Sequence, residues 1–173
     1  MKTTIEPIKM EQKPVLIRLM ELYLYDFSLF SDQDVSEYGC FGYAHIDDYW
    51  NEEGRFPYMI RVDGRIAGFA LVRSGCEYHD LPDAFNMAEF FVMKKYRRRG
   101  IGRCAAERVF DRHRGNWEVT QWSNNLPARN FWNAVIRDYT RGEYTEFGSV
   151  EAGHVGLLFN NASRGIDGME GCF

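Results

Sequence analysis

Glu89-Phe90-Phe91-Val92-Met93 runs directly into Lys94-Lys95-Tyr96-Arg97-Arg98-Arg99-Gly100-Ile101-Gly102-Arg103, and then into Cys104-Ala105-Ala106-Glu107-Arg108-Val109-Phe110. The apolar run reads as a strand and the last run as a helix, with a basic, glycine-bearing turn between them. Such a turn suits an anion. The first N–H groups of a helix have no partner inside it and point outward, and the helix dipole places about half a positive charge there. Glycine lets the backbone approach a ligand with no Cβ in the way. A strand, such a turn and a helix also predict an α/β domain.

Reading outward, Thr3-Thr4-Ile5-Glu6-Pro7-Ile8 is an expected first strand. Glu11 to Phe30 has helical spacing, with Val15, Leu16, Leu19, Met20, Leu22, Tyr23, Tyr25 and Phe27 on an apolar face and Pro14 in the first turn. Ser31 to Gly54 reads as a long irregular connection with a short helix near His45 to Trp50; loops of this length are often functional. Asp63-Gly64 between two β-rich runs, Tyr58 to Val62 and Arg65 to Val72, signals a hairpin. A third sizeable strand is expected over Phe85 to Met93. A helix is expected over Gly100 to Arg114, its face to the sheet made by Ile101, Ala105, Val109 and Phe110, and Gly115 is expected to cap it. The expected remainder is a strand from Trp117 to Trp122, a helix from Pro127 to Ile136, and strands from Tyr139 to Phe147 and His154 to Phe159. Residues 1–160 read as one domain and 161–173 as a flexible tail, rich in glycine. The order implies a mixed sheet with helices on both faces.

The composition is 45% hydrophobic and 27% charged, as expected of a folded domain with a real core. The net charge of −4 argues against a general nucleic-acid binder, which needs a broad positive field. Positive charge is concentrated between Lys94 and Arg103 instead, where a nucleic-acid or nuclear-import patch is the weaker reading. Cys40, Cys76, Cys104 and Cys172 fit no zinc or disulfide framework and read as free thiols of a reducing cytoplasm. His45, His79, His113 and His154 are scattered and form no metal motif, so no metal is expected. With no apolar signal segment and no membrane-length run, a cytoplasmic protein is expected.

Arg97-x-x-Gly100-x-Gly102 is neither a dinucleotide fingerprint, which needs three glycines, nor a nucleoside-triphosphate loop, which ends in Gly-Lys-Ser/Thr. The apolar strand followed by this motif resembles the acetyl-CoA-binding core of the GNAT superfamily of N-acetyltransferases. Asn125-x-x-Ala128-x-x-Phe131-Trp132 resembles the family's second signature, which opens the helix after its fifth strand. The runs Ala88-Glu89-Phe90-Phe91-Val92 and Trp117-Glu118-Val119 resemble a subgroup of acetyltransferases of undefined acceptor.

The resemblance implies a mostly antiparallel sheet of six to seven strands that splays between strands 4 and 5. It implies that amides from Arg98 to Arg103 hold the CoA pyrophosphate, with arginines including Arg97 nearby. It implies that the backbone of Phe90, Phe91 and Val92 pairs with the pantetheine and supplies an N–H to the acetyl oxygen. Asn125 is expected on the pantetheine or pyrophosphate side, with Ala128 and Trp132 on the helix beside the thiol. Glu89 is the candidate base for an attacking amine, because an alkylamine is protonated at neutral pH. Many relatives carry a tyrosine at the position of Trp132 as proton donor to the thiolate. An indole N–H donates a hydrogen bond without being a proton source, which leaves Tyr139, Tyr144 or water for that task.

The function implied is transfer of acetyl from acetyl-CoA to a primary amine of a small molecule or peptide. The alternative is a non-catalytic CoA-binding or regulatory module on the same fold. Asp32, Asp34, Glu37, Asp47, Asp48, Glu52 and Glu53 form either a solvated loop or a negative rim for a cationic amine. A homodimer fits family habit and no sequence feature shows one.

Overall fold

The structure is a computed structural model and describes residues 1–164. In chain order the elements are β1 (Thr3–Pro7), α1 (Lys13–Phe27), α2 (Asp48–Asn51), β2 (Arg55–Val62), β3 (Arg65–Ser74), β4 (Ala84–Val92), α3 (Ile101–Arg112), β5 (Asn116–Trp122), α4 (Leu126–Thr140), β6 (Thr145–Ser149) and β7 (His154–Asn160). Short 3-10 turns, Met10–Gln12 and Lys94–Tyr96, precede α1 and α3. The seven strands form one sheet in the order β1-β2-β3-β4-β5-β7-β6. Every neighbouring pair is antiparallel except β4 and β5, which are parallel.

Each face of the sheet has its own core. On one, α3 and α4 bury Val109, Phe110, Trp132, Val135 and Ile136 against Trp117, Val119 and Leu157. On the other, α1 buries Leu16, Leu19, Met20 and Leu24, an i, i+3, i+4, i+8 stripe, against Met59, Phe69, Leu71 and Phe91. Leu16 and Ile136 have no exposed surface, and side chains of this kind each contribute roughly 1.5–3 kcal/mol of burial. The apolar face of α1 is narrower than its sequence implies, since Leu22 and Tyr25 are exposed.

The hairpin turn forms at Asp63 and Gly64, both at positive φ (48° and 77°), the geometry that matches the twist of flanking strands. Three boundaries differ from expectation. Gly115 does not cap α3: the helix stops at Arg112, and His113 leaves it in extended conformation. Gly115 instead sits where a Cβ would collide with the Asp83 carbonyl, so it permits β5 to start close to β4. The stretch from Tyr139 begins as helix, because α4 continues to Thr140 and Arg141 ends it at φ 57°, leaving β6 only Thr145–Ser149. The expected tail opens on an anchored residue. Asn161 is buried, accepts from Gly115 N–H and donates to the Phe110 carbonyl. Residues 165–173, and with them Cys172, lie outside the described part.

Two irregularities in β4 shape the centre of the molecule. β4 and β5 pair only where Ala84–Asn86 meets Asn116–Glu118; beyond that the strands part. In the ladder with β3, Leu71 faces Glu89 while Val72 faces Met87, so Ala88 is an extra, bulged residue. A regular strand would put Met87 and Glu89 on one face. The bulge breaks that alternation: Met87 packs in the α3/α4 core, whereas Glu89 meets tyrosines on the α1 side.

Candidate active site

The mouth of the β4–β5 gap is a set of backbone groups without partners. Cys104 N–H bonds the Gly100 carbonyl and starts the α3 ladder. Among the described residues, no hydrogen bond engages the amides of Arg98, Arg99, Gly100, Ile101, Gly102 or Arg103. Arg98 (φ 59°) and Gly100 (φ 75°) adopt left-handed backbone, which curls these amides into a concave turn of the kind that binds anions. A Cβ on Gly100 would have no protein atom within 4 Å and would stand in open space. Gly102 serves packing: a Cβ there would sit 3.1 Å from the Phe131 ring.

The arginines of this turn divide into two kinds. Arg97 Nε donates to the Val92 carbonyl (2.6 Å) and Nη2 to Asp26 of α1 (2.5 Å), which also holds Lys94 (3.0 Å). Burial alone would raise the Asp26 pKa, yet Arg97 and Lys94 outweigh it and hold the carboxyl below its usual value. Arg103 pairs with Asp138 of α4. Arg98 and Arg99 are exposed and have no partner among the described residues. Arg97 and Arg103 are therefore tied into the framework, and Arg98 and Arg99 are the cations free to meet a ligand.

The open edge of β4 is equally selective. Met93 N–H bonds β3 at Ala67, and the Phe91 carbonyl turns under Gly68, where a Cβ would overlap it. Strand alternation then directs the backbone of Phe90 and Val92 toward the gap. The Val92 carbonyl is taken by Arg97, so Phe90 N–H, Phe90 C=O and Val92 N–H remain. The Phe91 backbone belongs to the β3 ladder. The far wall comes from α4. Asn125 caps the helix, its side-chain oxygen accepting from Ala128 N–H at 3.1 Å. Phe131 stacks on Phe90 (5.8 Å, 22°) and Trp132 meets it edge-on (5.1 Å, 65°). Phe131 was not among the expected cofactor contacts, although it lies within the Asn125 motif.

Glu89 lies across the sheet from these rings. Burial raises its pKa above the ordinary carboxylate value, while the hydroxyls of Tyr23 and Tyr43 act as donors to it and pull the other way, as does Arg73. Burial and the nearby Glu89 charge raise the pKa of both tyrosines, keeping them protonated. The loop after α1 reaches this position because Glu21 accepts the N–H groups of Phe41 (2.8 Å) and Gly42 (2.9 Å). Tyr49 of α2 is 3% exposed, is coupled to both Glu89 and Arg73, and its hydroxyl has no hydrogen-bond partner. Arg73 Nε and Thr120 Oγ1 are also buried without partners. None of these five residues was read as functional from sequence. They come from α1, the following loop, α2, β3 and β5, and no local motif links them.

The closed end of the gap is held by Glu118 of β5, which is fully buried. It accepts from Glu77 N–H (2.6 Å), His79 Nδ1 (2.8 Å) and Asn86 Nδ2 (3.1 Å), tying the β3–β4 loop to the parallel pair. The acidic loop is less free than its composition implies: Asp47 pairs with Lys13, Asp48 with His45, and Glu52 with Arg55. Tyr139 is removed from the gap, donating to Asp111 and accepting from Asn161, with burial pushing its pKa up to about 12.

The model of the Acetyltransferase (GNAT) family matches residues 18–135. An acetyltransferase from Thermus thermophilus has the same fold, with a TM-score of 0.70 and 14% identity over 92% of this chain and 97% of that one. The PaiA N-acetyltransferase of Thermoplasma acidophilum, solved in complex with coenzyme A, gives 0.60 and 12% over 92% and 99%. The ribosomal-protein-S18-alanine N-acetyltransferase of Escherichia coli gives 0.59 and 15% over 96% and 98%. No curated protein matches the chain significantly. At these identities the structural likeness establishes the fold.

Proposed function

The chain belongs to the GNAT family of acetyltransferases, and from that premise we propose that it transfers the acetyl group of acetyl-CoA to a primary amine by direct attack. The observation that carries this reading is the pairing of two features across one gap. Unpartnered amides from Arg98 to Arg103 form an anion cradle on one side, and a partly buried carboxylate of raised pKa, Glu89, stands on the other.

The residues present fit CoA. The cradle amides, with Arg98 and Arg99, would hold the pyrophosphate. Phe90 and Val92 would pair with the amides of the pantetheine as an added strand would, and Phe131 and Trp132 would flank its sulfur end. When bound, acetyl-CoA supplies an activated acyl group and a thiolate leaving group. Glu89 takes a proton from the incoming ammonium, directly or through water, and its raised pKa brings it closer to the working pH than an ordinary carboxylate. Tyr23 and Tyr43 orient it. The Phe90 N–H on the open edge is available to stabilise oxyanion charge. With Trp132 a hydrogen-bond donor only and Tyr139 bound elsewhere, Tyr144 or water protonates the thiolate. On this reading the protein works in the cytoplasm, where its co-substrate is made, with a small-molecule or peptide amine as acceptor. No helix among the described residues is long and apolar enough to cross a membrane.

Trp132 also favours a second reading, a CoA-binding module without turnover. Incubation with acetyl-CoA and a panel of primary amines, followed by free-thiol detection and mass measurement of the amine, separates the two. A gain of one acetyl per thiol released is expected. Tight CoA binding with no amine modified would establish the module.

A further inference from the structure

The side chains gathered around Glu89 include a half-filled arginine fork. Arg73 Nη2 donates to Glu77 Oε2 at 2.8 Å, but the adjacent Nε is buried and unpartnered. A guanidinium presents Nε–H and Nη2–H in parallel, matched to the two oxygens of one carboxylate. Glu77 uses one of the two. It reaches Arg73 from four residues on, its side chain is 53% exposed, and an exposed ion pair of this type is held weakly. Its backbone does not depend on that pair, because Glu118 holds the Glu77 N–H.

The unfilled donor is not isolated. Arg73 follows Leu71 on the same face of β3, and Leu71 is the register partner of Glu89, so Arg73 and Glu89 are diagonal neighbours. Tyr49 is coupled to both, and its buried hydroxyl lacks a partner; the Arg55 guanidinium stands 5.7 Å from its ring centre without a well-formed hydrogen bond to it. Thr120 Oγ1, two residues past the last β4–β5 pair, is unpartnered as well. A buried Nε–H can only donate, and leaving it unmatched is costly. A simple alkylamine brings no acceptor for it.

Resting on Glu89 as the base for the amine, we propose that the acceptor is an amino acid in the broad sense. It carries a carboxylate that takes both Nε and Nη2 of Arg73, displacing Glu77, while its amine faces Glu89. Tyr49 and Thr120 hydrogen-bond the same molecule. The Glu77 side chain occupies the carboxylate position when no acceptor is bound and swings to solvent when one arrives.

The test is calorimetric binding to the CoA-loaded full-length protein. The probes are glycine through 6-aminohexanoate, each compared with the alkylamine that lacks its carboxylate, methylamine through pentylamine. At least one amino acid should bind about tenfold more tightly than its partner amine, equivalent to roughly 1.4 kcal/mol. Glu77→Gln should strengthen amino-acid binding several-fold and leave the alkylamines unchanged, an effect no structural role of Glu77 would produce. Arg73→Lys should abolish the preference. Equal binding within every pair, or no response to Glu77→Gln, overturns the proposal. Thiol release from acetyl-CoA, supplied in place of CoA to the same proteins with the same amino acids and amines, separates the two readings. Binding as expected without thiol release defeats acetyl transfer and leaves the carboxylate site standing. Thiol release without a carboxylate preference does the reverse.

Discussion

The two sides of the β4–β5 gap are built on opposite principles. The α3 side is continuous in sequence: Phe90 to Arg103 carries strand edge, turn and helix start within one short run, and its working groups are backbone amides. The α1 side is assembled from Tyr23, Tyr43, Tyr49, Arg73, Glu89 and Thr120, which meet only in the folded chain, and its working groups are side chains. A backbone cradle suits what every member of a family shares, which on the proposed function is the pyrophosphate of CoA. A side-chain pocket can be altered one residue at a time without disturbing the fold. On the proposed function, the common co-substrate belongs to the α3 side and acceptor choice to the α1 side.

The largest way to break this division is at Glu118, which secures the α1-side loop from within the sheet. Glu118→Leu leaves the Glu77 and His79 donors without an acceptor and should lower thermal stability by about 3 kcal/mol. KM for the amine should rise while acetyl-CoA affinity stays close to wild type. An equal loss on both sides would show that the halves are not separable.

Gly100→Val strikes the α3 side. At φ 75° a branched side chain costs about 1–2 kcal/mol, and its Cβ would enter the open concavity. Acetyl-CoA affinity should fall about tenfold with amine KM unchanged, read by calorimetry and steady-state kinetics.

The arginines sharpen the same side. Replacing both Arg98 and Arg99 with Gln should weaken CoA binding several-fold at low salt, with the difference shrinking as salt rises. Arg97→Gln should instead lower the melting temperature, because its partners are Asp26 and the Val92 carbonyl.

The smallest effect is a pH shift on the α1 side. Glu89 has a raised pKa in the fold, so turnover is lost as pH falls through that raised value. Tyr43 donates to the carboxylate and favours its charged form. Tyr43→Phe should therefore move the acid limb of kcat/KM to higher pH by less than about one unit. The stability sign is opposite: the folded state binds the proton more tightly than the unfolded chain, so this group favours folding below the ordinary carboxylate pKa. That contribution is lost as pH rises to the folded value.

The same contrast explains what was legible in the sequence. The Asp63-Gly64 turn, the strand ending at Val92 and the helix opening at Ile101 depend on neighbouring residues, and local chemistry revealed them. The Asn125 motif was visible through the family resemblance. The Ala88 bulge was not, because a bulge is a property of the ladder with β3 and leaves no mark in an apolar run. Arg97 looked equivalent to Arg98 and Arg99 until Asp26, far earlier in the chain on α1, closed on it. Tyr139 looked available until Asn161 arrived from the end of β7. Of the α1-side cluster only Glu89 is legible in the sequence, through its place just before the Phe90-Phe91-Val92 run together with the family resemblance.

The central claim is that Glu89 drives amine acetylation without holding CoA. The most direct test is amine-dependent thiol release at saturating acetyl-CoA for wild type and Glu89→Gln, with the acetyl-CoA dissociation constant measured on the same samples. The account predicts a fall in kcat of at least about a hundredfold with the dissociation constant essentially unchanged. A Glu89→Gln protein that acetylates amines at close to the wild-type rate would contradict it.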